Sequence, residues 1–164
     1  MKKYLFLTTI LFSLLSLVSC KDKSQALSKN ASKWNSLMQH VNTVGSVEKQ
    51  INDLGGYAML KSRASEAKNY IKNSEDDINN IPKDEDEKAM YNALLDCMKI
   101  YDSILDIYLD FATKSEAGTL TENDVEVGYA KIETLYEQFD VKSDLFKDAL
   151  RKYAKSNGIT NYRI

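Results

Sequence analysis

The chain has 164 residues, of which 43% are hydrophobic and 28% charged, and a formal net charge of −2 at pH 7. That length suffices for one domain with a real core. A mildly acidic chain without a basic run excludes nucleic acid as a partner, because a phosphate backbone demands clustered Lys or Arg.

Lys2 and Lys3 precede an apolar run from Tyr4 to Val18, broken only by Thr8, Thr9, Ser13 and Ser16. A charged start followed by so short and early a hydrophobic stretch predicts an export leader, not a membrane-spanning helix. The run closes on Leu17-Val18-Ser19-Cys20, which resembles the bacterial lipoprotein signal of two aliphatic residues, one small residue and cysteine. Small Ser19 gives a peptidase access to the backbone, and the Cys20 thiol is the nucleophile that takes a diacylglycerol. The resemblance implies loss of residues 1–19 and a lipid with palmitate-type acyl chains on Cys20. Residues 20–24 then form a short polar leash to the membrane. Lys21, in place of aspartate after the lipidated cysteine, implies by the habit of Gram-negative lipoproteins transport to the outer membrane, on its periplasmic or cell-surface face. Without Lys2 and Lys3, 20 basic residues (22 less 2) face 24 acidic ones. Lipid on Cys20 leaves Cys97 without a partner in the chain, so the expected fold relies on no disulfide.

From residue 25 to residue 158 the signal is helical periodicity. The first segment places Leu27, Ala31, Trp34, Met38, Val41, Val44, Val47, Ile51 and Leu54 on one face. Thr43-Val44-Gly45 in its middle is poor helix material and predicts a kink or a break. Gly55-Gly56 is expected to end this helix and turn the chain. A second helix from about Met59 to Asn80 rests on Leu60, Ala64, Ala67, Ile71, Ser74, Ile78 and Ile81. That face is small and partly polar, so it predicts close packing and a minor share of the core.

The third segment is the most regular. Met90, Leu94, Cys97, Tyr101, Ile104, Tyr108 and Phe111 recur at steps of four and three, and Ala93, Ile100 and Leu105 widen the stripe. Pro82 and Asp84-x-x-Glu87 mark its start as a capping box, and Gly118 marks its end. The fourth segment repeats the pattern with Val125, Tyr129, Ile132, Tyr136, Phe139, Ser143, Phe146, Leu150 and Tyr153. Thr121 is its natural N-cap, with Leu120 stapled onto Val125, and Asn157-Gly158 is its stop. Residues 159–164 remain as a tail. Four such helices with short connections predict an all-α, antiparallel up-down-up-down four-helix bundle.

The plan resembles a family of small bacterial surface lipoproteins with an all-helical domain of uncharacterised function. The likeness rests on the Cys20 motif, on Ile100-Tyr101-Asp102-Ser103-Ile104-Leu105, and on the closing stretch from Leu145-Phe146-Lys147-Asp148 to Ser156-Asn157-Gly158. These are packing motifs, and the resemblance brings no catalytic residue with it.

The chemistry-bearing residues point away from catalysis. His40 is the sole histidine, so the paired Glu-x-x-His motifs of di-iron bundles are absent. Met38 and His40 point about 200° apart on a helix and cannot ligate one haem. Cys97 falls in the apolar seam of the third helix, where a thiol packs as a small hydrophobe. Glu75, Asp76, Asp77, Asp84, Glu85, Asp86 and Glu87 crowd one corner without calcium-loop spacing, which reads as a solvated corner. Asp102, Asp106 and Asp110 form one acidic ridge, and Glu133, Glu137, Asp140 and Asp144 a second; both read as solvated faces or as an acidic binding face.

Tyr101, Tyr108, Tyr129 and Tyr136 take seam positions, as core packing or as the lining of a ligand groove between the third and fourth helices. No nucleophile–base pair, metal set or cofactor motif assembles from the sequence. The expected role is therefore a non-enzymatic binding or structural interaction module. It would be lipid-anchored at the outer membrane, with an envelope or extracellular protein or glycan as partner; a small-ligand carrier using the tyrosines is the alternative.

Overall fold

In a computed structural model the chain is described over residues 2–51, 54–80 and 83–160, with side chains described from Asp22 onward except at 54, 55 and 86. Four helices fill these ranges: α1 Lys2–Glu48, α2 Leu54–Asn80, α3 Glu85–Glu116 and α4 Glu122–Ser156. No strand occurs among the described residues. The chain is an all-α four-helix bundle, as its periodicity requires. Ile81, Pro82, the Cys20 side chain and residues 161–164 lie outside what is described.

Helix ends follow local chemistry. Asp84 caps α3 by accepting the Glu87 N–H at 2.9 Å. The Glu87 carboxylate does not return the bond; it accepts from the Tyr153 hydroxyl at 3.1 Å and ties α3 to α4. The reciprocal box occurs at α4 instead, where Thr121 and Asp124 exchange side-chain and backbone bonds, each at 3.1 Å. Lys114 adds a contact to Asp124, and with the Thr121 bonds it holds that carboxyl at about 2. Both α3 and α4 end on a left-handed glycine, Gly118 at φ 67° and Gly158 at φ 66°. The Thr119 N–H reaches Lys114 O at 2.8 Å, and the Ile159 N–H reaches Ala154 O at 2.9 Å, the crossed bonds of a Schellman stop.

Two expectations about α1 and α2 need correction. The helix does not break at Thr43-Val44-Gly45 but continues to Glu48. Val44 is wholly buried, and the Thr43 hydroxyl bonds back to Gln39 O at 2.8 Å, so packing overrides weak intrinsic propensity. Nor does Gly55-Gly56 form the turn, because α2 already begins at Leu54. A Cβ on Gly56 would lie 3.0 Å from the Ile51 backbone, so glycine here lets the first turn of α2 pass close to the end of α1. The polar residues Lys21 to Ser24 likewise continue α1.

The stripe of α3 is the centre of the core. Met90, Leu94, Cys97, Tyr101, Ile104 and Tyr108 are completely shielded, and Phe111 nearly so. From it α3 packs against α4 and α2 most extensively. Gly128 makes the first contact possible, since a Cβ there would stand 2.2 Å from the Phe111 ring. Ala64, Ala67 and Ser74 make the second possible by presenting a shallow, buried face on α2.

The α1–α4 approach is the slightest of the packed pairs, and α2 and α4 do not meet. Large rings fill the space between α1 and α4. Trp34 stacks on Phe139 at 6.1 Å and lies 5.1 Å from Phe146, while Tyr101 reaches Phe139 from below at 6.1 Å. Leu37 is also fully buried on α1, where the sequence reading chose Met38, which is half-buried.

Candidate binding groove

The tyrosines separate into two classes. Tyr101 is fully buried and donates its hydroxyl to His40 O at 3.3 Å, a structural link from α3 to α1. Tyr108 is equally buried, but its hydroxyl has no hydrogen-bond partner. Tyr136 and Glu48 are its polar neighbours. Tyr129 and Tyr136 are half-buried and line an open groove of about 660 Å³ on the α1 side of α4.

That groove is not the one the sequence suggested. The cleft between α3 and α4, about 680 Å³, is lined by Ser103, Ile107, Val127, Ala130, Lys131, Thr134 and Leu135, with no tyrosine. Tyr129 and Tyr136 turn the other way, toward Glu48 at the end of α1. Tyr101 and Tyr108 lie behind them in the core, so the four candidates occupy one neighbourhood but only two reach the groove surface.

Glu48 was not singled out by sequence reasoning. Its signal was present: it follows Leu27, Trp34 and Val41 at seven-residue steps, which puts a carboxylate on the edge of the apolar stripe. Glu133, Glu137 and Asp140 complete the acidic lining from α4. Burial, reinforced by the Glu48 carboxylate and Tyr57, pushes the Tyr129 phenol up to about 12. Tyr108 is raised by burial and then by Tyr136 and Glu48; Tyr136 is raised by burial and Glu48 against an opposing contribution from Tyr108. All three phenols therefore keep their protons at neutral pH and can donate as well as accept.

Several other acidic residues form ion pairs. Lys68 of α2 bridges Asp102 at 2.8 Å and Asp106 at 2.7 Å, and Lys114 holds Asp110 at 2.9 Å. The α3 ridge is solvent-exposed at Asp106 and Asp110, as expected, with Lys68 pairing across the α2–α3 seam and Lys114 pairing within α3. At the acidic corner, Asp77 meets Lys33 at 2.9 Å, Glu85 pairs with Lys88, and Asp84 caps α3. On the second ridge only Asp144 is paired, with Lys147 at 3.3 Å. Glu133, Glu137 and Asp140 are exposed and take part in no ion pair among the described residues.

His40 is half-buried with its ring 4.9 Å from Tyr70; burial lowers its pKa, with Glu66 opposing. Cys97 is fully buried, and burial, with Asp96 beside it, pushes the thiol up to about 12. A thiol held so high is almost wholly protonated at neutral pH and is a poor nucleophile. Among the described residues no three His, Cys, Asp or Glu side chains gather closely enough to hold a metal ion.

No family model, curated protein or solved structure matches this chain. The reading of the groove therefore rests on its own chemistry. Among the described residues no helix is long and apolar enough to cross a membrane.

Proposed function

We propose that the chain is a lipid-anchored binding module of the Gram-negative outer membrane, held by acyl chains on Cys20 and acting without catalysis. The Leu17-Val18-Ser19-Cys20 motif supports the anchor, at about 0.8 kcal/mol for each buried methylene of the acyl chains. The observation that carries the binding role is the groove at Glu48, Tyr129 and Tyr136, where carboxylates without ion pairs adjoin protonated phenols. Along α1, Glu48 lies about 42 Å from Cys20 at 1.5 Å per residue. A ligand in the groove is thus presented far from the lipid. A small-ligand carrier is the second reading, because carboxylates and two phenols share one open groove of about 660 Å³.

The anchor is tested by intact mass of the N-terminal peptide after expression in a Gram-negative host. A lipid-modified Cys20 at the new terminus is expected, and an unmodified terminus beyond residue 20 refutes the anchor. The binding role is tested by capture from native envelope, comparing the wild-type chain with Glu133→Gln/Glu137→Gln. Retention of every captured species by the variant refutes the groove as the site.

A further inference from the structure

We infer that the outward face of α4 pairs in parallel with α4 of a second copy of this chain. Among the described residues four large apolar side chains are exposed, and three lie on this helix: Val127 at 45%, Val141 at 63% and Leu145 at 51%. They are not scattered. Val127, Lys131, Thr134, Gln138, Val141 and Leu145 follow at alternating steps of four and three, the heptad spacing of a coiled-coil seam. The stripe extends about 27 Å at 1.5 Å per residue. Charged Asp124 and Asp148 take the next positions in either direction and end it.

The bundle itself does not account for this stripe. For its own core α4 buries Ile132, Phe139, Phe146 and Leu150, which lie on a different face. Val127, Lys131 and Thr134 also edge the apolar α3–α4 cleft, where half-buried Ile107 and Leu135 widen the surface on offer.

The flanking charges choose the occupant and its direction. Glu137 precedes Gln138 on one side of the stripe, and Lys142 follows Val141 on the other. Asp96 holds Lys142 at that edge at 2.7 Å. In a parallel pair of identical helices these opposite flanks face each other. Glu137 of each copy then meets Lys142 of the other. In an antiparallel pair like flanks meet, carboxylate against carboxylate. Lys131 and Gln138 within the seam cost stability but fix register, as polar seam residues do.

The two-fold axis of such a pair runs along the helices. Both chains then start from the same end, so two lipids on Cys20 enter one bilayer. The seam is independent of the acidic groove. Only the shared bilayer rests on the proposed anchor, whose failure appears separately in the N-terminal mass. A seam about 27 Å long and one helix wide, about 10 Å, is smaller than the interfaces that hold freely diffusing proteins together. Confinement to one membrane supplies the effective concentration it needs.

The test uses cells expressing the full chain, oxidised with copper–phenanthroline, and reads disulfide-linked dimer. Leu145→Cys puts a thiol at the end of the stripe, and Cys97 is wholly buried and leaves the readout clean. The two thiols adjoin in the parallel pair, whereas an antiparallel pair holds them about 27 Å apart. Leu145→Cys is expected to link on the order of ten-fold more chain than Asp76→Cys, an exposed control on α2. Adding Val141→Glu or Glu137→Lys to Leu145→Cys is expected to abolish that excess. Adding Asp76→Lys, the same charge change away from the seam, leaves it intact. Equal linking by Leu145→Cys and Asp76→Cys overturns the proposal as random collision. Linking that survives Val141→Glu or Glu137→Lys, or an equal loss with Asp76→Lys, overturns it as well.

Discussion

The two sides of this bundle solve the same packing problem with opposite residues. On the α2 side, Ala64, Ala67 and Ser74 let backbones approach, and the polar groups at the rim find partners: Lys33 with Asp77, Lys61 with Glu116, Lys68 with Asp102 and Asp106. On the α4 side, Trp34, Phe139 and Phe146 hold α1 away, and the rim carboxylates Glu133, Glu137 and Asp140 face no cation. Small residues close a seam and bring long charged side chains within reach across it. Large rings fill the centre of a seam but leave its margin open. The groove is the margin of the aromatic seam.

The contrast is broken most severely by removing a ring from the wide side. Phe146 is completely shielded and lies 5.1 Å from Trp34, so Phe146→Ala should cost about 3–5 kcal/mol in urea melts of the full chain. Ile104→Ala, in the stripe both sides share, should cost about 2–5 kcal/mol. If Ile104→Ala instead costs less than Ala64→Gly, for which about 1 kcal/mol is expected from helix propensity, α3 is not the centre of the core. Gly128→Ala drives a Cβ to 2.2 Å from the Phe111 ring, and such overpacking should cost about 1–3 kcal/mol. The smallest effect belongs to the cap of α4. Asp124 is held at about 2, below its ordinary value of 3.8, chiefly by Lys114 and Thr121. A carboxyl with a lowered folded value contributes stability above its unfolded value and loses it as pH falls. Wild-type stability should therefore decline between about pH 4 and pH 2 more steeply than that of Asp124→Asn, as acid melts would record.

Much of this was legible in the sequence, and the misses share a cause. The α3 stripe was read correctly because each of its positions is buried on all sides, so apolarity and periodicity coincide. Thr121 as a cap, and Gly118 and Gly158 past helix ends, were legible because capping is local chemistry. Gly55-Gly56 misled because glycine serves close approach as well as turning, and only the position of Ile51 distinguishes the two. The continuity of α1 through Gly45 was hidden because burial of Val44, a tertiary fact, outweighs propensity. The groove was misplaced for a similar reason. Tyr129 and Tyr136 were visible as seam residues, but which neighbour they face depends on how far the rings at Trp34 hold α1 from α4. Glu48 became relevant only when that distance was known. The α3 ridge is a solvated face, as its periodicity indicates, but the Lys68 bridge to it was hidden because periodicity within one helix is blind to the next.

The two grooves flanking α4 differ in chemistry, one apolar and bounded by Ile107 and Leu135, the other acidic and bounded by Tyr129 and Tyr136. Nuclear magnetic resonance of the full chain in detergent, with labelled tyrosine, isoleucine and leucine and increasing native envelope extract, distinguishes them directly. The largest saturable shifts are expected at Tyr129 and Tyr136, with Ile107 and Leu135 unmoved. Largest shifts at Ile107 and Leu135, or small shifts spread evenly over the molecule, would contradict the assignment of binding to the aromatic seam.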